Sequence, residues 1–150
     1  MATGSDLEAR VKRLEDVEGV WQLFMDYRRL LDARDYAAYS QLFVEDGEWL
    51  GNLGEARGPA EIEALLDRTL ERYPDDSTRT HHLVCNPVVQ IDGDRATAQS
   101  TWVYITRDEN DRPELSLLGH YDDVLTRDGG GWKFVRRVAY CDMPYEALTV

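Results

Sequence analysis

The chain has 150 residues and a formal net charge of -12, with 43% hydrophobic residues, four Trp and eight Tyr. A chain of this length forms one domain and buries about 70% of its unfolded surface. Disorder is excluded as its main state, and the acidity argues against nucleic acid or an anionic membrane as partner, since phosphate recognition needs clustered Lys and Arg. An uninterrupted apolar run of about 18 residues is absent, and the first residues lack a basic segment followed by an apolar one. No transmembrane helix and no secretory signal are therefore expected. Cys85 and Cys141 form neither a disulfide framework nor a zinc motif. The expectation is a cytoplasmic protein with two reduced thiols.

In chain order, residues 1–4 read as a frayed end. A helix starts at Ser5 or Asp6 with acidic residues in its first turn. Leu7, Val11, Leu14, Val17, Trp21, Phe24 and Leu31 recur at helical spacing to about Ala33, with a bend or break expected at Glu18 and Gly19. Asp35 is placed to cap a second helix over 36–43. Glu45-Asp46-Gly47 reads as a turn, 48–50 as a short strand and 51–58 as a Gly-rich loop. Pro59 opens a third helix running to about residue 73, with Ile62, Leu65, Leu66 and Leu70 on its apolar face. Pro74-Asp75-Asp76-Ser77 ends it.

The period then changes from helical to alternating. Four long strands are predicted at 80–91, 95–106, 114–126 and 132–142, joined by turns at Asp92-Gly93-Asp94, 108–113 and 128–131. Pro87 cannot donate to a ladder, so the first of these strands should carry a bulge. Helices followed by a strand meander make an α+β domain, with a pocket expected between the two layers.

Histidine is rare, and adjacent strand residues face opposite ways. His82 shares a face with Val84 and Asn86, and His81 shares the other with Leu83 and Cys85; alternation alone leaves open which is inner. Asp32, near the end of the first helix, is placed unfavourably for the helix dipole. It is either a capping or exposed acid, or a carboxylate turned inward to orient a histidine. Such a pairing fixes the imidazole tautomer and raises the basicity of the free nitrogen. Arg136 and Arg137 point to opposite faces, so at most one enters a pocket. Gly51-Asn52-Leu53-Gly54 is no phosphate loop, and no ligand spacing suggests a metal.

Several short stretches carry a resemblance in their order and spacing. They are Tyr27-Arg28-Arg29-Leu30-Leu31-Asp32, Leu42-Phe43-Val44-Glu45-Asp46-Gly47 and Gly58-Pro59-Ala60-Glu61-Ile62, then His82-Leu83-Val84-Cys85-Asn86, Asp92-Gly93-Asp94-Arg95-Ala96, Gly119-His120-Tyr121-Asp122-Asp123 and Gly131-Trp132-Lys133-Phe134. The chain resembles the SnoaL-like branch of the NTF2-like superfamily over nearly its whole length. Within it, the likeness is to the scytalone dehydratase, bile-acid dehydratase and hexachlorocyclohexane dehydrochlorinase group, whose enzymes eliminate through an Asp–His pair without a cofactor.

The resemblance implies a cone-shaped α+β barrel of three N-terminal helices on a curved, mostly antiparallel sheet. It also implies no cofactor and no metal, a catalytic pair at Asp32 and His82, and an outward His81. A pocket Trp falls on Trp49 and a pocket Arg on Arg137. Tyr27 stands where the dehydrochlorinase has a Lys, which favours an oxygenated substrate. His120 is expected to face the pocket, with Tyr27, His120 or Arg137 holding an oxyanion or protonating a leaving hydroxyl. Leu66, Val84, Trp102, Tyr104, Leu118, Ala139 and Cys141 are expected to line the cavity. The implied reaction is a lyase or isomerase step on a small cyclic or polycyclic molecule. The rivals are a polyketide-type cyclisation and a non-catalytic binding or assembly role. A homodimer or homotrimer is expected through an outer sheet face of Thr97, Gln99, Thr101, Val103 and Ile105.

Overall fold

A computed structural model of the chain describes residues 4–70 and 80–148. The first helix, α1 (Gly4–Asp32), is unbroken. Gly19 is there for close approach and not as a breaker: a Cβ at this position would lie 2.8 Å from the Trp132 side chain, so the missing side chain lets that indole pack against the helix. The expected apolar stripe of α1 divides in two. Phe24 and Leu31 are buried with Val20, Leu23, Tyr27 and Leu30, whereas Leu7, Val11, Leu14 and Trp21 are exposed.

Asp35 caps α2 (Tyr36–Ser40), its side chain accepting the Ala38 N–H at 3.1 Å. The helix is shorter than expected because Phe43 opens a strand, β1 (Phe43–Gly51), which absorbs the expected turn at residues 45–47. The Gly-rich segment after it is a hairpin whose return arm is β2 (Gly54–Arg57). Helix α3 (Gly58–Thr69) follows, with Pro59 in its first turn. The expected end of this helix near residue 73 and the stretch 74–77 lie outside the described residues. Four long strands complete the domain: β3 (His81–Asp92), β4 (Arg95–Arg107), β5 (Pro113–Asp128) and β6 (Gly131–Met143). The expected bulge near Pro87 is present, as a register shift between Cys85 and Val88 with Asn86 at a φ of 52°.

The six strands form one mixed sheet in the order β2-β1-β6-β5-β4-β3, with β1 and β6 parallel and every other pair antiparallel. Two expectations are corrected. The sheet is not a closed barrel, because β2 and β3 end it without pairing to each other. Only α1 and α2 precede the sheet, since α3 comes after β1 and β2. The architecture is an α+β layer pair. The inner face of the sheet carries Ala96, Ala98, Trp102, Tyr121 and Leu125, which are buried in one core with α1, α2 and α3. Within the core, Tyr27 meets Tyr39, Tyr121 and Phe134 with ring centroids 4.7, 5.6 and 5.6 Å apart. These tilted and edge-on geometries are the favoured ones for aromatic pairs. Among the described residues, no helix is long and apolar enough to cross a membrane.

Candidate active site

The last residue of α1 and the second residue of β3 meet side by side. Asp32 Oδ1 lies 2.6 Å from His82 Nδ1, and both carboxylate oxygens accept the His82 backbone N–H, at 3.1 and 3.0 Å. Arg28, one turn earlier on α1, places its Nη1 3.7 Å from Asp32 Oδ2. These contacts explain how a buried carboxylate is tolerated at the negative end of a 29-residue helix. With Asp32 ionised, Nδ1 carries the hydrogen and Nε2 keeps its lone pair, an assignment that follows from the hydrogen-bond geometry. The His82 ring packs on Tyr104 at 4.7 Å between centroids. His81 is exposed on the opposite face of the same strand.

His82 lines a cavity of about 350 Å³ between the helices and the inner sheet face. Of the expected lining, Tyr27, Trp49, Leu66, Trp102, Tyr104, Ala139 and Cys141 are all there. Trp49 donates its indole N–H to Tyr27 Oη at 3.2 Å, which leaves the Tyr27 hydroxyl hydrogen available to another acceptor. Tyr39 and Tyr121 also border the cavity. Burial, reinforced by neighbouring Tyr27, pushes both phenols above their ordinary range, so they remain protonated donors at neutral pH. Burial likewise raises the Cys141 thiol, which donates to Pro144 O at 3.2 Å. Cys141 is thus a wall residue and not a thiolate nucleophile.

Trp102, in the cavity wall, lies over Gly119. A Cβ on Gly119 would come within 2.5 Å of the indole and 1.9 Å of Tyr140 O. The Trp102 indole N–H donates to His120 O at 3.2 Å.

Four expected site residues are placed elsewhere. His120 pairs with Thr101, one position out of phase with buried Ser100 and Tyr121, and so faces the outer side of the sheet. There it stacks on Tyr140 at 4.6 Å and bonds Asp142 Oδ2 through Nδ1 at 2.8 Å. Leu118 shares that phase and is likewise outward, and Leu117 lines the cavity in its place. Val84 is buried in the core beside the cavity without bordering it.

Arg137 does point inward but lies under the cavity floor, fully buried. It donates from Nε and Nη2 to the two oxygens of Asp123, both at 2.7 Å. Its guanidinium is sandwiched against Tyr121, Tyr27 and Phe134, 3.9, 4.0 and 4.2 Å from their centroids. Burial pushes the Asp123 carboxyl up, while the two short charge-assisted bonds hold it in an ion pair whose Arg137 partner is kept above its ordinary pKa by the same carboxylate.

Sequence reasoning missed Leu31, Arg34, Tyr39, Asn52, Leu53, Leu70, Leu117, Tyr121 and Glu146, which also border the cavity. Arg34 was findable as a charge two residues past Asp32. It is buried at a φ of 60° and donates to Leu31 O and Thr80 Oγ1, each at 3.0 Å. Asn52 Nδ2 bonds Glu146 Oε2 across the cavity mouth, a contact between the β1–β2 turn and the C-terminal segment that strand periodicity could not reveal. Among the described residues, no group of three or more His, Cys, Asp or Glu is placed to hold a metal ion.

The SnoaL-like domain model matches residues 12–138. The chain belongs to this family. The SnoaL-like domain is 28% identical over 133 residues to an uncharacterized protein of Mycobacterium tuberculosis, covering 85% of this chain and 86% of the other. Among solved structures it is similar to an NTF2-like protein with a cystatin-like fold from Novosphingobium aromaticivorans. That match has 30% identity, a TM-score of 0.80, and covers 93% of this chain and 90% of that one. It is also similar to a scytalone-dehydratase-like protein from the same organism, at 25% identity and a TM-score of 0.72, covering 86% and 85% of the two chains.

Proposed function

We propose that this SnoaL-like domain is a cofactor-independent acid–base lyase or isomerase of the dehydratase kind, acting on a small cyclic or polycyclic molecule. The observation that carries the reading is the 2.6 Å contact between Asp32 and His82 at the wall of a mostly apolar cavity. His82 Nε2 takes a proton from carbon next to a carbonyl. The electron pair moves to the carbonyl oxygen, which receives the Tyr27 hydroxyl hydrogen as a hydrogen bond. As the enolate re-forms the carbonyl, a hydroxyl on the next carbon leaves and takes the proton from His82, so water is lost and the imidazole returns to its starting state. For an isomerase the same proton is returned to a different carbon. Asp32 holds the tautomer and stabilises the imidazolium. The likeness to a scytalone-dehydratase-like protein supports an oxygenated ring substrate. The aromatic walls, Trp49, Trp102 and Tyr104, suit a flat one.

The test is a panel of cyclic β-hydroxy ketones, with conjugated enone formation followed by absorbance and α-carbon exchange in D2O followed by NMR. His82→Ala should lower elimination and exchange by about 10²–10⁴-fold. Turnover close to that of the parent chain would sink the mechanism.

A further inference from the structure

We infer that α1 carries a second apolar face through which two copies of this chain associate, in parallel, as a short two-stranded coiled coil. The helix turns about 100° per residue. On that count Val20, Leu23, Phe24, Tyr27, Leu30 and Leu31, the buried residues that hold α1 to the sheet, gather on one side. Asp16 extends that side toward the N-terminus, where it is buried against Arg127 of β5. Leu7, Val11, Leu14 and Trp21 gather roughly opposite, about 180° away. They are 57%, 44%, 70% and 40% exposed. The side chains of residues 4–15 are all exposed, so the first three turns project past the body of the domain. A helical overhang of that length is marginal by itself in water, and helical stability usually comes from packing an apolar face.

The occupant is read from the pattern itself. Leu7, Val11 and Leu14 are spaced by four and then three, which is a heptad seam with Leu at both d positions and β-branched Val at the a position between them. That choice of residues favours two parallel strands. The flanks agree. Arg10 falls on g and Glu15 on e, the two positions that meet across a parallel pair, so a dimer gains two equivalent Arg–Glu contacts. An antiparallel pair would instead set Glu8 and Glu15 of one copy against the same acids of the other. Glu18 at the next a position would bring two carboxylates together at the axis, so the seam ends there and the association is weak and concentration-dependent.

The test is sedimentation equilibrium of the full chain up to about 500 µM, where mass action populates a weak dimer. The parent chain should show a reversible monomer–dimer equilibrium. Leu14→Glu should weaken it by about 50-fold or more while leaving the circular dichroism and cavity chemistry unchanged, because Leu14 touches neither core nor cavity. Arg10→Glu should weaken it about 5-fold, and adding Glu15→Arg to that variant should restore the parent value to within about 2-fold. A chain that stays monomeric throughout overturns the inference. So does a dimer that survives Leu14→Glu and is lost with Val103→Glu, which assigns association to the outer sheet face. A reversed or absent charge-swap rescue overturns the parallel arrangement.

Discussion

Two aspartate–histidine contacts sit on opposite faces of the same domain, with nearly the same length. Asp32 and His82 are 2.6 Å apart with side chains 7% and 13% exposed, whereas Asp142 and His120 are 2.8 Å apart and 39% and 42% exposed. The inner pair is reinforced by two further hydrogen bonds from the His82 backbone and borders a cavity. The outer pair bonds in open solvent beside the Tyr140 ring. A hydrogen bond in a drier medium is electrostatically stronger, and a base is useful only where a substrate can be held against it. The same two residue types therefore differ in what they can do because of which side of a pleated sheet they occupy.

The comparison is broken most directly by removing each imidazole. His82→Ala should lower elimination by about 10²–10⁴-fold. At the floor of the cavity, Arg137→Met should destabilise the fold by about 3–5 kcal/mol in denaturant unfolding, because it strands a buried Asp123 carboxylate. Replacing both partners, with Asp123→Leu added, should recover much of that loss, which separates the cost of an orphaned charge from the worth of the pair. Asp32→Asn should lower turnover by about 10–100-fold, with the loss in kcat, since the amide can hold the ring but cannot stabilise its protonated form.

At the sheet rim, Asp16 is drawn below its ordinary carboxylate pKa: burial pushes it up, and the bonds from Arg127 and Lys12 outweigh that push. A group depressed in the folded state stabilises above its unfolded value and loses that contribution as pH falls through the folded one. The parent chain should therefore lose stability more steeply than Asp16→Asn as pH drops below 3.8. The smallest effect is expected on the outer face, where His120→Ala should leave turnover within about 2-fold and stability within about 0.5 kcal/mol. A loss at His120 comparable to that at His82 would collapse the distinction between the two faces.

How much of this was readable in the sequence follows from what hides a residue's phase. The long strands and their turns announced themselves, because alternation and Asp-Gly pairs are local signals. Asp32 and His82 could be nominated from the family resemblance, while their contact needed the end of α1 to abut an edge strand. His120 and Leu118 were placed on the inner face by the resemblance and the alternation carried from it, and the local sequence offered nothing to correct that phase. In Gly119-His120-Tyr121-Asp122-Asp123 the two acids carry no preference between faces, and an acid is ordinarily outward. Asp123 is inward because its cross-strand partner is Arg137, so the phase of β5 was set by a charge pair on the neighbouring strand. The bend expected at Gly19 failed similarly: the glycine answers to Trp132, more than a hundred residues later.

Gly119 seats one wall of the hollow, the Trp102 indole, without bordering the hollow itself. The Trp102 indole can recline across the β5 backbone only because that backbone has nothing standing on it. A Cβ there would meet the Tyr140 carbonyl oxygen at 1.9 Å and the indole at 2.5 Å, so any side chain would force both the strand and the ring to shift. The seat of one cavity wall is thus fixed by an omission, at a position outside the wall itself.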